Sequence, residues 1–186
     1  MNTDPLALVR ARSRAGTFAL IFGFSVLMGL LARVAVPLPF TPVPVTGQTL
    51  GVLLAGLVLG GWRAAAAMLL YLLEGVAGLP VFSPAGVGGL AQVLGPTGGY
   101  LLSYPLAAWV VGALAGRWNK PLLAVLAGEL VIFLFGACWL AALLHQAPRA
   151  ILASAVWPFL PGEVLKVALV LALSAGFRRA ASSGDI

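Results

Sequence analysis

The sequence predicts an all-α integral membrane protein with six transmembrane helices, both termini in the cytoplasm, and two Pro/Gly-rich outer loops over a ligand pocket. Three observations predict this fold class. The chain has 186 residues, of which 61% are hydrophobic and 9% are charged, whereas soluble domains average about 25% charged residues. Six apolar segments fit into this length at about 20 residues per span. The basic residues fall mostly between those segments or near the chain ends.

The apolar segments follow one another as 17–36, 49–60, 63–78, 98–117, 121–144 and 157–177. They predict one membrane domain, residues 17–178, between a basic cytoplasmic tail, residues 1–16, and a second cytoplasmic tail, residues 179–186. The second and third segments are short for a full span, and only Gly61 and Trp62 separate them. Short segments of this kind are tolerated where they line a cavity or are buried in protein. We therefore expect these two segments to form cavity walls.

The basic residues predict the orientation. With the N-terminus inside, the outer side holds Arg149, and Arg33 lies near the outer end of the first segment. The same orientation places eight basic residues in the cytoplasm: Arg10, Arg12, Arg14, Arg63, Arg117, Lys120, Arg178 and Arg179. This asymmetry follows the positive-inside rule, so the net charge of +6 indicates a lipid bilayer and not nucleic acid. No small-residue cleavage pattern follows residues 1–16, which we expect to be retained.

Two outer connections have unusual compositions. Residues 37–48, PLPFTPVPVTGQ, contain four prolines and no charge, which excludes a regular helix and predicts a stiff extended lid. Residues 79–100, LPVFSPAGVGGLAQVLGPTGGY, are uncharged and rich in glycine, which lets the backbone approach a ligand closely. We expect two flaps over a pocket, the alternative being ordinary turns.

A charged pair lies in the last apolar segment. Lys166 follows Glu163 by three residues within WPFLPGEVLKVALVLALS, and residues three apart share one helix face. Ionisable groups at membrane depth are costly unless they pair or face a polar cavity. The pair therefore indicates a small-molecule site, and its alternative is a structural ion pair between packed helices.

The other polar residues give no catalytic or metal-binding signature. His145 is the single histidine and is expected to be an interfacial anchor, while Cys138 is expected to be a packing residue. No Walker-type loop is present, and the serines in the apolar segments lack a nearby base. We expect neither an enzyme nor a metal or cofactor site. Glu129 and Glu74 remain open between helix packing and a ligand role.

Small residues recur at intervals of four, which lets helix backbones approach closely. These rows either pack the bundle internally or dock a second membrane protein. The rows comprise Ala15, Ala19 and Gly23, then Ser25 and Gly29, and finally Ala108, Gly112 and Gly116.

Three motifs together resemble the BioY family, the biotin-specific substrate-capture (S) components of energy-coupling factor transporters. They are PFTPVPVTGQTLGVLLAGLVLG, YLLEGVAGLPVFSPAGVGGLAQVLGPTGGYLL and WPFLPGEVLKVALVLAL, in this order between about Arg33 and Leu173. The resemblance implies a six-helix protein that captures biotin from outside. It also implies a membrane coupling subunit and ATP-hydrolysing subunits as partners, and the plasma membrane of a prokaryote as location.

The resemblance also suggests functional residues. Glu163 and Lys166 correspond to the family's acidic and basic pair, although the family usually has aspartate at the acidic position. The implied ligand-binding set adds two residues of the first loop, one of the glycine-rich loop and two aromatic residues to cover the apolar body of biotin: Thr46, Gln48, Gly89, Phe82 and Tyr100. The implied partner-docking row is Ala15, Ala19 and Gly23.

Three alternatives stay open at this stage. The chain could capture another vitamin, such as thiamine or riboflavin, although cationic thiamine would favour more carboxylates than Lys166 suggests. It could be a proton-coupled carrier that uses Glu129 or Glu163 as a relay. A membrane enzyme acting on lipids would need paired acids or a metal cluster. Association into a homo-oligomer is also left open.

Overall fold

A computed structural model describes residues 13–118 and 120–183. The predictions for Arg10, Arg12 and the ends of both tails lie outside the described residues. The elements are, in order, α1 (Arg14–Arg33), β1 (Ala35–Leu38), β2 (Thr41–Thr46), α2 (Gln48–Leu59), α3 (Gly61–Val76), α4 (Gly89–Leu94), α5 (Gly98–Trp118), α6 (Pro121–Leu144), α7 (Pro148–Ala155) and α8 (Leu160–Ser183).

Membrane-spanning character is clear for part of this bundle. In the described part of the chain, α1, α5 and α6 are long and apolar enough to cross a membrane. The pair α7 and α8, bent by 50° at its break, provides a fourth candidate if it is counted as one span. These helices confirm a mostly helical membrane protein. By contrast, α2 and α3 have 12 and 16 residues, or about 18 and 24 Å at 1.5 Å per residue.

Local sequence explains where several helices begin and end. The Ser13 hydroxyl accepts a hydrogen bond from the Gly16 N–H at 3.2 Å and caps α1. Proline occupies the first position of α6, where a missing N–H costs nothing. Gly60 separates α2 from α3 at φ 76°, a left-handed conformation that glycine adopts readily.

The proline-rich segment forms a two-stranded antiparallel hairpin. Ala35 pairs with Thr46 and Val36 with Val45, and the register is irregular between Val36 and Leu38. Proline cannot donate to a strand ladder and is confined to sheet edges or irregular positions, which suits an isolated hairpin. The expected extended segment is therefore present as a β-hairpin.

The glycine-rich segment is only partly irregular, because it contains the short helix α4. Gly88 and Gly89 have φ values of 73° and 60° at the start of this helix, so the chain turns there through a conformation that disfavours side chains. A Cβ at Gly86 would meet the side chain of Gln92. The glycines thus let this segment fold back onto its own helix.

Close helix contacts explain the small-residue row of α5. A Cβ at Gly112 would clash with the backbone of Gly60 and Gly61, and one at Gly56 would meet Val111 and the Ala108 carbonyl. Ala108 and Gly112 therefore pack α5 against α2 and α3. The outer face of α1 is different, because several large apolar side chains are exposed there: Phe18, Phe22, Val26 and Leu30.

Candidate functional site

A cavity lies between the hairpin, the glycine-rich segment and helices α2, α5, α6 and α8. Its space, including the open solvent at its mouth, amounts to about 500 Å³. Much of its wall is apolar or aromatic, with Leu101, Tyr104, Ile132, Phe133 and Phe159. Polar groups converge on the same space. This combination is typical of a site that binds one small organic molecule.

Glu163, Lys166 and Thr49 form a closed cluster at the cavity wall. Lys166 Nζ lies 2.7 Å from Glu163 Oε1 and donates to Thr49 Oγ1 at 2.9 Å. The Thr49 hydroxyl donates to Glu163 Oε2 at 2.9 Å. The pair joins α8 to α2 through Thr49 and also lines the cavity, so it makes a structural contact, and its role in a small-molecule site stays a prediction.

The helix start positions this cluster. The break between α7 and α8 places Glu163 in the first turn of α8, where the helix dipole favours a carboxylate. The Glu163 N–H donates to the Phe159 carbonyl at 2.9 Å. Glu163 is 6% exposed and Thr49 is 8% exposed, so little water competes for their hydrogen bonds.

Three more of the predicted ligand-binding residues line the cavity, namely Thr46, Gln48 and Tyr100. Gln48 Nε2 donates to the Tyr71 hydroxyl at 2.7 Å, and that hydroxyl donates to the Val81 carbonyl at 3.2 Å. Gln48 thereby connects the start of α2 to the glycine-rich segment. A carboxamide oxygen is a further hydrogen-bond acceptor of such a side chain.

Tyr100 is anchored at its hydroxyl and exposes its ring to the cavity. The hydroxyl donates to the Ala155 carbonyl at 2.7 Å. Its ring centroid lies 6.4 Å from those of Phe133 and Phe159. These three rings build an aromatic wall, which suits the apolar body of a ligand.

The other two predicted residues do not line the cavity. Phe82 is buried against Tyr71, with ring centroids 5.4 Å apart, and against Gly75. Gly89 begins α4. Their predicted contact with a ligand therefore stays a prediction.

Sequence reasoning missed several polar residues of the cavity: Thr49, Ser83, Gln92 and Thr97. Gln92 Oε1 accepts from the Gly88 N–H at 3.1 Å, and Ser83 Oγ accepts from the Ala85 N–H at 3.3 Å. Gln92 and Ser83 are 4% and 3% exposed. A glutamine within an otherwise apolar, glycine-rich segment was the available signal for Gln92.

The two remaining glutamates, Glu74 and Glu129, differ in their hydrogen-bond partners. Glu74 accepts a hydrogen bond from the Ser25 hydroxyl, which joins α3 to α1 away from the cavity. Glu129 is 7% exposed and lies on α6 beside Glu163. Neither of its carboxylate oxygens meets a hydrogen-bond donor among the described residues.

The other candidates have surface positions. His145 caps the C-terminus of α6 in a left-handed conformation, with φ 51°, and Cys138 is exposed. Within residues 13–118 and 120–183, His, Cys, Asp and Glu do not gather in a group of three that would suit a metal ion. Ala15, Ala19 and Gly23 are exposed on α1, and a Cβ at Gly23 would meet nothing within 4 Å.

The bundle and its cavity define a helical integral membrane protein whose cavity combines an aromatic wall with a largely buried charged pair. The chain belongs to the BioY family, whose model matches residues 3–183. The family recognised from the sequence motifs is thereby confirmed.

Relatives and a solved structure agree with this membership. The chain is 37% identical to the probable biotin transporter BioY of Pyrococcus horikoshii, over 87% of this chain and 95% of that protein. It is 39% identical to the biotin transporter BioY of Rhizobium etli, over 83% of this chain and 87% of that protein. The crystal structure of the S-component for biotin from an ECF-type ABC transporter superposes with a TM-score of 0.80 at 26% identity, covering 91% of this chain and 94% of that one.

Proposed function

We propose that the chain is the biotin-binding component of an ECF-type vitamin transporter and captures biotin from the outer side of the membrane. The observation that carries this function is the Glu163–Lys166–Thr49 cluster, buried at the wall of a cavity with aromatic residues, in a chain of the BioY family. The family is one of transport proteins, and we propose no catalytic step.

The polar chemistry of the cluster suits biotin. Biotin has a ureido head with two N–H donors and one carbonyl acceptor, an apolar bicyclic body and an anionic valerate tail. Glu163 accepts from the ureido N–H groups, and Lys166 donates either to the ureido carbonyl or to the valerate carboxylate. The one-turn spacing of the two residues favours contact with the same end of the ligand. Gln48, Thr46 and Gln92 line the same cavity and supply further polar groups.

The apolar part of the cavity provides surface against which the apolar body of biotin can be buried. Tyr100, Phe133 and Phe159 form the aromatic wall that covers the bicyclic body. The hairpin contributes Val43 and Pro44 to the cavity lining, so a ligand there would contact both strand β2 and the helices. Burial of apolar area contributes about 25 cal/mol per Å².

We further propose six membrane-crossing segments with both termini in the cytoplasm. The burial of nearly all of α2 supports a short segment that is surrounded by protein and needs no full hydrocarbon match. Arg63, Arg117 and Lys120 lie at the end of the bundle away from the hairpin, which supports a cytoplasmic position by the positive-inside rule. The cavity then faces outward, and the protein resides in the plasma membrane of a prokaryote.

The partners follow from the same proposal. A membrane coupling subunit and ATP-hydrolysing subunits drive release, and the exposed row of Ala15, Ala19 and Gly23 supports close docking of another helix. No metal, cofactor or nucleic acid takes part. Whether the chain associates with itself is left to measurement.

Calorimetry on the purified, detergent-solubilised protein tests the function. We expect one biotin to bind per chain, with weaker binding of desthiobiotin and none of thiamine. Well-folded protein that does not bind biotin would refute the biotin assignment. Uptake that follows a proton gradient and needs no ATP would favour a proton-coupled carrier instead.

A further inference from the structure

The buried carboxyl group of Glu129 has no role in the site as described so far. It lies on α6, about 12 Å along the helix from Pro121 at 1.5 Å per residue, and one helical turn before Ile132 and Phe133, which line the cavity. Its side chain lies beside Glu163 and within electrostatic reach of Lys166. Glu129 does not itself line the cavity, but it neighbours residues that do.

The charges in this region do not balance if every group is ionised. The titratable groups that face Glu129 are Glu163 and Lys166 from α8 and Tyr104 from α5. Helix α2 contributes none, and Arg149 of α7 is exposed. Two carboxylates and one ammonium would leave one uncompensated negative charge in a buried cluster, which is strongly unfavourable.

Hydrogen bonding leads to the same conclusion. An ionised carboxylate is an acceptor only, and among the described residues neither oxygen of Glu129 meets a donor. Glu163 already accepts from Thr49 and Lys166. A protonated Glu129 would no longer need a donor, because its own O–H would donate to the neighbouring carboxylate of Glu163.

We propose that Glu129 is a positioning residue for ligand binding that retains a proton and donates it in a hydrogen bond to Glu163. The cluster then contains one carboxylate, one ammonium and one neutral acid. Glu163 is then held by Glu129 and by Thr49 at its position in the cavity wall. This inference rests on the proposed biotin site, which it extends by one residue.

Two variants of Glu129 test the role in binding. Glu129→Gln keeps the shape and supplies an N–H donor to Glu163, so it should bind biotin with wild-type affinity. Glu129→Leu supplies no donor and should bind about tenfold more weakly, equivalent to about 1.4 kcal/mol. Equal affinity of both variants, at either level, would overturn the proposal.

Infrared spectroscopy tests the proton directly and needs no ligand. The carbonyl stretch of a protonated carboxylic acid should be present in wild type and absent in Glu129→Gln. Glu74→Gln serves as the matched control and should retain the band, because Glu74 accepts from Ser25 away from the cavity. Persistence of the band in Glu129→Gln would overturn the proposal, and this spectrum decides alone if Glu129→Leu does not fold.

The experiments distinguish a failure of the biotin-binding function from a failure of the proposed role of Glu129. Wild-type protein that does not bind biotin would refute the proposed function, and the infrared band would still report whether Glu129 carries a proton. Biotin binding without the band would leave the function intact and remove Glu129 from its positioning role.

Discussion

Replacing Lys166 by methionine separates the structural and the ligand-binding roles of the charged pair. Lys166→Met keeps a long flexible side chain but removes the ammonium, which lies 2.7 Å from Glu163 and 2.9 Å from Thr49. Glu163 is then left buried without a counter-charge, although Thr49 still donates a hydrogen bond to it. The matched control is the double variant Glu163→Leu with Lys166→Met, which leaves no charge behind.

The magnitudes follow from the burial of the pair. Removing one partner of a buried ion pair costs about 3–5 kcal/mol, whereas replacing both by apolar residues is often neutral. We take the lower end, about 3 kcal/mol, because the Lys166 side chain is 14% exposed. For a chain of this size that loss corresponds to a decrease in Tm of roughly 6–12 °C. Biotin binding should be lost in both variants, because both lack the ammonium.

Thermal unfolding in detergent and biotin calorimetry provide the two measurements. We expect the single variant to melt well below wild type and the double variant to melt close to wild type, with no biotin binding by either. A double variant as unstable as the single one would refute the argument that the stranded charge causes the loss. Unchanged biotin affinity of Lys166→Met would remove Lys166 from the site.

Three further predictions concern single replacements of Thr49, Gly112 and Gly23. Thr49→Val removes the hydroxyl that joins Glu163 to Lys166. It should weaken biotin binding about tenfold, since hydrogen bonds to charged groups contribute about 1.5–3 kcal/mol. Thr49→Ser keeps the hydroxyl and should retain the wild-type affinity in calorimetry, and a weaker affinity would contradict this role. Gly112→Leu would force a side chain into the backbone of Gly60 and Gly61, so we expect little folded protein by size-exclusion chromatography, and a normal yield would contradict the close packing of α5. Gly23→Leu places a side chain in open space, so biotin affinity should be unchanged. ATP-driven uptake by the complete transporter should be reduced, and unchanged uptake would argue against docking of a partner at Ala15, Ala19 and Gly23.

The sequence was most informative where one residue type dominates a segment. Proline at position 121 and the long apolar run after it predicted 121–144, which are the bounds of α6. Proline also predicted the extended form of residues 37–48, because it excludes a helix. The charged pair was visible because two charges in an apolar helix are costly.

Features that depend on contacts distant in the chain were harder to predict. Thr49 gained its importance from Glu163 and Lys166, more than a hundred residues away, and no local pattern indicates such a contact. Phe82 and Gly89 were expected at the ligand; Phe82 packs against Tyr71 and Gly75 and neither residue lines the cavity, so their contact with a ligand stays a prediction. The composition of the glycine-rich segment did not reveal α4, because glycine is a poor helix former and the helix is held by tertiary contacts.

The arrangement of the cluster indicates how affinity and specificity are divided. Glu163, Lys166 and Thr49 satisfy one another's hydrogen bonds in the structure, so a ligand exchanges hydrogen bonds with the cluster more than it adds new ones. Such exchanges contribute little net free energy, but a ligand that fails to complete them leaves buried charges unpaired, which is costly. The cluster therefore rejects molecules that lack a matching donor and acceptor. The favourable contribution to affinity must come mainly from the apolar area buried between the aromatic wall and the hairpin, whereas a change at the cluster weakens or abolishes binding by leaving a buried polar group unpaired. Changes at Tyr100 or Phe159 should therefore lower affinity through the area lost, and changes at the cluster should alter the choice of ligand as well as the affinity.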